Sequence, residues 1–110
     1  MPTLFKNKLY SGLGTTEQTI LTSNGSAKTT VVGLSLTNLT DNVVMASIRL
    51  TDPVESITAY YVKDVIVPPN QSLRVINGGE RLVLDPSTEV KMKANTDDSL
   101  DLVMSYVEIS

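Results

Sequence analysis

The chain has 110 residues, 41% of them hydrophobic and 19% charged, which is enough for one ordinary domain around one core and far from the composition of disordered or membrane-spanning chains. Nine Lys and Arg against twelve Asp and Glu leave a formal net charge of −3, spread along the chain without blocks, so the basic stripe that backbone phosphates demand is missing and nucleic acid is not an expected partner. Histidine and cysteine are both absent, which removes the commonest general base, the Ser-His-Asp and Cys-His triads, disulfides and nearly all zinc sites.

The N-terminal segment, residues 1–14, concentrates Leu4, Phe5, Leu9, Tyr10 and Leu13 in a stretch that ends on Gly12 and Gly14. So large an apolar load must bury against something. It is expected to be either the first strand of the domain or an arm that adds to a neighbouring subunit, with residues 15–110 forming the domain itself. The opening Met1-Pro2-Thr3-Leu4-Phe5-Lys6 lacks the apolar run of a signal peptide, so the chain is expected to be made in a cytoplasm without membrane association. Gly12-Leu13-Gly14-Thr15 has two glycines of a phosphate-binding loop but neither its lysine nor its strand-then-helix setting, and is expected to be a flexible joint.

From Gln18 onward, short apolar or alternating runs are separated by turn residues, at the spacing of an all-β, antiparallel sandwich of about eight strands, immunoglobulin-like or jelly-roll. Across residues 29–51, Val32, Leu34 and Leu36 alternate with Gly33, Ser35 and Thr37, and Val44, Ala46 and Ile48 with Met45, Ser47 and Arg49. Asn38-Leu39-Thr40-Asp41-Asn42 lies between them. A hairpin there would set Leu36 against Val44, Leu34 against Ala46 and Val32 against Ile48. The run from Ile57 to Val67 ends at Pro68-Pro69, and within it Tyr60 and Tyr61 are expected on opposite faces.

Asn77-Gly78-Gly79 supplies the positive-φ positions of a tight turn and predicts a hairpin pairing Val75 with Leu82 and Leu73 with Leu84. Asp52-Pro53 and Asp85-Pro86 mark strand exits. In the last unit Val90, Met92 and Ala94 alternate with Lys91 and Lys93, and a hairpin would place Met92 against Leu102 and Lys93 against Asp101. The acidic cluster Asp97, Asp98 and Asp101 has oxygen ligands of the kind calcium takes, but not the spacing of a calcium loop, and reads as a turn. The same reading applies to Asn24-Gly25-Ser26, Asn38-Leu39-Thr40 and Asn70-Gln71-Ser72, which also match the glycosylation pattern. No catalytic, cofactor or metal residue is assigned.

Phe5-Lys6-Asn7-Lys8-Leu9, the run Thr30 to Asn38, the segment Tyr61 to Leu73 and the ending Ser105-Tyr106-Val107-Glu108-Ile109 resemble small virion structural proteins of tailed bacteriophages, particularly those of marine and cyanobacterial phages. The resemblance spans most of the chain. It implies a non-enzymatic virion part present in many copies, whose partners are further copies of itself and other virion proteins such as the major capsid protein. A decoration or cement protein of the head is the expected role. A tail, neck or baseplate ring component is the first alternative, and a carbohydrate- or receptor-binding sandwich using the loops 52–57 and 95–99 is the second. Interaction is expected to fall on Leu4, Phe5, Leu9, Tyr10 and Tyr61.

Overall fold

A computed structural model describes residues 3–76 and 81–109. Its strands are β1 (Thr3–Leu13), β2 (Gln18–Thr22), β3 (Lys28–Asn38), β4 (Val44–Asp52), β5 (Ile57–Val67), β6 (Ser72–Ile76), β7 (Leu82–Leu84), β8 (Glu89–Ala94) and β9 (Leu100–Ile109). They form two packed antiparallel sheets, the all-β sandwich that the alternation predicts. Sheet A has the order β1-β9-β3-β6, with β7 also on β3, and sheet B the order β2-β8-β4-β5.

That order distinguishes the two topologies left open by the sequence. β6 pairs with residues 34–37 of β3 and β7 with residues 29–31, both antiparallel, so the two are successive parts of one edge strand. Counting them together gives eight strands in two four-stranded sheets, with the chain passing from one sheet to the other at nearly every connection. This is the jelly roll. Among the described residues only β4 and β5 join as neighbours in a hairpin.

Three expected hairpins are therefore corrected. β3 and β4 lie in opposite sheets, as do β8 and β9, so the predicted pairs face one another across the core or not at all, and Lys93 and Asp101 are on different sheets. The physical reason is that alternation records which residues point inward, and inward is the same direction whether two strands lie side by side or face to face. β6 and β7 do not fold back on each other; Leu73 pairs with Leu36 and Leu82 with Val31. The Asn77-Gly78-Gly79 turn lies outside the described residues. Val32 does not meet Ile48, because a bulge between Val31 and Gly33 buries Val31 and leaves Val32 partly exposed.

One core fills the space between the sheets. Leu34, Leu36, Leu102 and Met104 from sheet A meet Ala46, Ile48, Val90 and Met92 from sheet B, all nearly inaccessible. The crossing loops are held by buried polar residues. Asn38, 1% exposed, donates from Nδ2 to the carbonyls of Asn42 (2.8 Å) and Val67 (3.0 Å), and its Oδ1 accepts from the backbone N–H and the hydroxyl of Thr40 at 2.8 Å each. All four of its side-chain bonding positions are filled. At the opposite end Ser23 donates to the Asp85 carbonyl (2.6 Å) and accepts from the Thr88 N–H (2.8 Å), tying two further crossings together.

Candidate functional site: the outer face of sheet A

Opposed residues in an antiparallel pair share a face. Leu102 and Met104 of β9 point into the core, so Asp101, Val103, Ser105, Val107 and Ile109 point out. The register then builds the outer face of sheet A as cross-strand rows. Phe5, Val107, Thr30 and Val83 make one row. Asn7, Ser105 and Gly33 make the next. Leu9, Val103, Ser35 and Arg74 make the third.

This face is open, and its large apolar side chains are left exposed. Phe5 is 83% exposed, Val83 66%, Leu9 64% and Val103 47%. Its middle is a shallow groove lined by Phe5, Val32, Ser105 and Val107. Gly33 lies in the floor of the adjoining hollow. A Cβ added there would meet Ser105 Cβ at 3.9 Å, ordinary contact, so the chain's own packing does not demand glycine at this position. Its effect is to keep the floor low.

The expected interaction residues divide. Phe5 and Leu9 belong to the outer face. Leu4, opposite Glu108, and Tyr10, opposite Leu102, lie on the inner side of β1, where Tyr10 packs against the core and Leu4 is 48% exposed. Lys6, also on that side, forms an ion pair with the buried Glu108, and this hydrogen bond raises the lysine's pKa. The N-terminal segment is thus a strand of this chain's own sheet, with β1 paired to β9 from Thr3 to Leu13.

Tyr61 is placed elsewhere. Two bulges interrupt the pairing of β4 with β5, so Val62 opposes Ile48 while Tyr60 opposes Arg49. Strict alternation fails between them. Tyr61 packs against the core and Tyr60 is the exposed ring, 47% accessible, with the Arg49 guanidinium 5.9 Å and the Lys63 ammonium 5.4 Å from its centroid. Arg49 also makes a two-pronged contact with Glu17, Nε donating to Oε2 at 2.7 Å and Nη2 to Oε1. That bond lowers the Glu17 pKa and raises that of Arg49.

The loops proposed for ligand recognition, 52–57 and 95–99, flank opposite ends of sheet B, since Thr51 pairs with Glu89 and Ala46 with Ala94. They do not form one site. The second loop instead secures the corner where β1 leaves sheet A. Asp97 Oδ1 accepts from the N–H (3.0 Å) and hydroxyl (2.8 Å) of Thr15, which lowers its pKa, and Asp101 Oδ1 accepts from the Ser11 hydroxyl (2.9 Å) and the Gly12 N–H (3.1 Å). Gly12 has φ +75°, and a Cβ on Gly14 would come within 2.8 Å of Asp97 Oδ1. The expected flexible joint is therefore a pinned corner whose glycines are required by shape. Likewise the Asn24 and Asn38 side chains close local turns, Asn24 Oδ1 accepting from the Ser26 N–H and hydroxyl.

The fold is a jelly-roll module in which sheet A leaves Phe5, Leu9, Val83 and Val103 open on its outer face, while sheet B carries Arg49, Lys91 and Tyr60 beside the exposed pair Met45 and Ile66. No family model and no curated protein matches the chain. Among solved structures, the crystal structure of the infectious bursal disease virus VP2 subviral particle aligns with 98% of this chain at 13% identity and a TM-score of 0.27, and the alignment covers 42% of that chain. A superposition that loose carries no functional argument. The chain spans less than half the length of that protein.

Proposed function

We propose that this chain is a non-enzymatic building block of a virion, present in many symmetric copies, and specifically a decoration or cement protein on the head of a tailed phage. The observation that carries the proposal is the outer face of sheet A. Phe5 beside Val107 and Leu9 beside Val103 leave two apolar pairs open on one sheet face, and exposed apolar patches rimmed by polar residues mark contact with another macromolecule. The resemblance of four sequence segments to small phage virion proteins supplies the setting. The jelly roll is used by viral capsid and lectin domains alike, so the fold contributes an analogy only. Between those two uses, the cations against Tyr60 favour assembly, because they occupy the surroundings of the exposed ring that a sugar would stack on.

The test is to fractionate particles from cells producing the chain and to locate it by cryo-electron microscopy. The expected result is density for a two-sheet sandwich in symmetric copies on the capsid exterior. Absence from particles overturns the assignment, and density in a tail or baseplate ring overturns the head location. Saturable binding on a glycan array, lost on Tyr60→Ala, would replace assembly with ligand recognition.

A further inference from the structure

We infer that the outer face of sheet A is covered by the same face of a second copy, in an antiparallel two-fold arrangement. This rests on the assembly reading above and names the contact through which it begins. The argument is the pattern of rows. About the central small or neutral row of Asn7, Ser105 and Gly33, the face is nearly palindromic: Phe5 and Val107 lie on one side at the distance at which Leu9 and Val103 lie on the other. A two-fold axis along that row, perpendicular to the strands, lays Phe5 of one copy over Leu9 of the second, and Val107 over Val103. Apolar meets apolar on β1 and β9, Thr30 falls over Ser35 on β3, and only at the outer edge does an apolar residue, Val83, fall over a charged one, Arg74.

Charge selects the same orientation. The outward residue at one end of the face is Asp101, opposite Thr37, and at the other end it is Lys28, opposite Ile109. The antiparallel arrangement carries Lys28 over Thr37 of the second copy, one strand from its Asp101, at both ends of the contact. A two-fold parallel to the strands, with its axis between β9 and β3, would instead gather the Asp101 carboxylates of both copies at one end and both Lys28 ammoniums at the other, which is repulsive. The low floor at Gly33 and Ser105 lies on the axis, where two facing sheets must approach most closely. The free edge of β1 is a poorer route to association: Lys6 and Lys8 stand on it, and charged lysines on an edge strand oppose the addition of another strand.

The experiment is sedimentation equilibrium of the full chain over a range of concentrations, with thermal unfolding to verify that each variant is folded. The expected result is a species of twice the 11.9 kDa of one chain. Val103→Lys, or independently Leu9→Lys, weakens association on the order of thirty-fold. Leu9 is 64% exposed, so its variant keeps the monomer intact. Lys28→Glu weakens association less and reduces its salt dependence. Because the chain has no cysteine, Phe5→Cys and Leu9→Cys proteins can be mixed with a thiol cross-linker spanning about 10 Å, the spacing of facing sheets. They should cross-link to each other and neither to itself.

A chain that stays monomeric at all concentrations, a dimer indifferent to both lysine variants, or self-cross-linking of the Phe5→Cys protein overturns the inference. So does association only with a different virion protein. A monomer found on particles would sink the two-fold contact and leave the virion role standing, whereas a dimer of this geometry absent from particles would do the reverse.

Discussion

The outer surfaces of the two sheets are finished differently. On sheet B the outward row of Arg49, Tyr60 and Lys91 is closed by the chain's own groups: Glu17 holds Arg49, and two cations flank the Tyr60 ring. On sheet A the corresponding positions are Phe5, Leu9 and Val103, and nothing in the described residues covers them. Both sheets share one core, so the difference does not arise from folding. On the assembly reading proposed above, it separates the side of the module that faces solvent from the side that faces a neighbour.

The largest expected effect separates the inner and outer faces of a single strand. Leu102, 1% exposed, and Val103, 47% exposed, are neighbours on β9. Leu102→Ala should destabilise the domain by about 2–5 kcal/mol in denaturant unfolding. Val103→Thr should change monomer stability by no more than about 0.5 kcal/mol while weakening self-association. A large loss of monomer stability at Val103 would mean that the outer face is part of the fold after all, and the contrast between the sheets would break.

Next in size is the crossing between β3 and β4. Asn38→Ala strips four hydrogen bonds from a buried site and should cost about 2–4 kcal/mol. Asn38→Asp should be no better, because it turns a carboxylate oxygen toward the carbonyls of Asn42 and Val67. In the opposite direction, Thr29 is fully buried on the inner side of sheet A and its hydroxyl has no bonding partner among the described residues. Thr29→Val, similar in shape and without the hydroxyl, should stabilise by about 1 kcal/mol, read as a higher denaturation midpoint. A neutral or negative result would show that the hydroxyl is satisfied.

How much of this was legible beforehand follows from what each signal encodes. The alternation of Leu34 and Leu36, of Ala46 and Ile48, and of Met92 and Ala94 identified buried positions, and those residues are buried. It was silent on neighbours, which is why three crossings and continuations were expected as hairpins. What separates a crossing from a hairpin is carried by single polar residues such as Asn38 and Ser23, whose carbonyl partners are distant in sequence. The exposed apolar load on β1 was visible at Phe5 and Leu9, but Val103 and Val83 joined that surface only once the strand order was known. Tyr60 and Tyr61 lie on opposite faces as the alternation predicts, but which of them faces out is decided by bulges in the pairing of β5 with β4, through contacts such as Asp64 N–H to Ser47 Oγ at 3.0 Å, and no local pattern announces them.

The smallest expected effect sharpens the comparison by pH. Glu17 on sheet B, bonded to Arg49, and Asp97 at the corner, bonded to the Thr15 N–H, both have pKa values lowered by folding from ordinary values of 4.5 and 3.8. A group whose folded pKa is depressed contributes stability that is complete above its unfolded pKa and is lost as pH falls through its folded one. Lys6 on β1 is shifted the other way, raised above 10.5 by Glu108, so its contribution is complete below that value and is lost as pH rises through the folded pKa. Thermal midpoints should therefore decline slightly below pH 4.5 through groups on sheet B and its corner, and above pH 10.5 through β1. Glu17→Gln, uncharged throughout, should flatten the acid limb and leave the alkaline one unchanged. An acid limb identical to that of the unmodified chain would remove Glu17 from the account, and with it the view that the charged row of sheet B is completed by the chain's own ion pair.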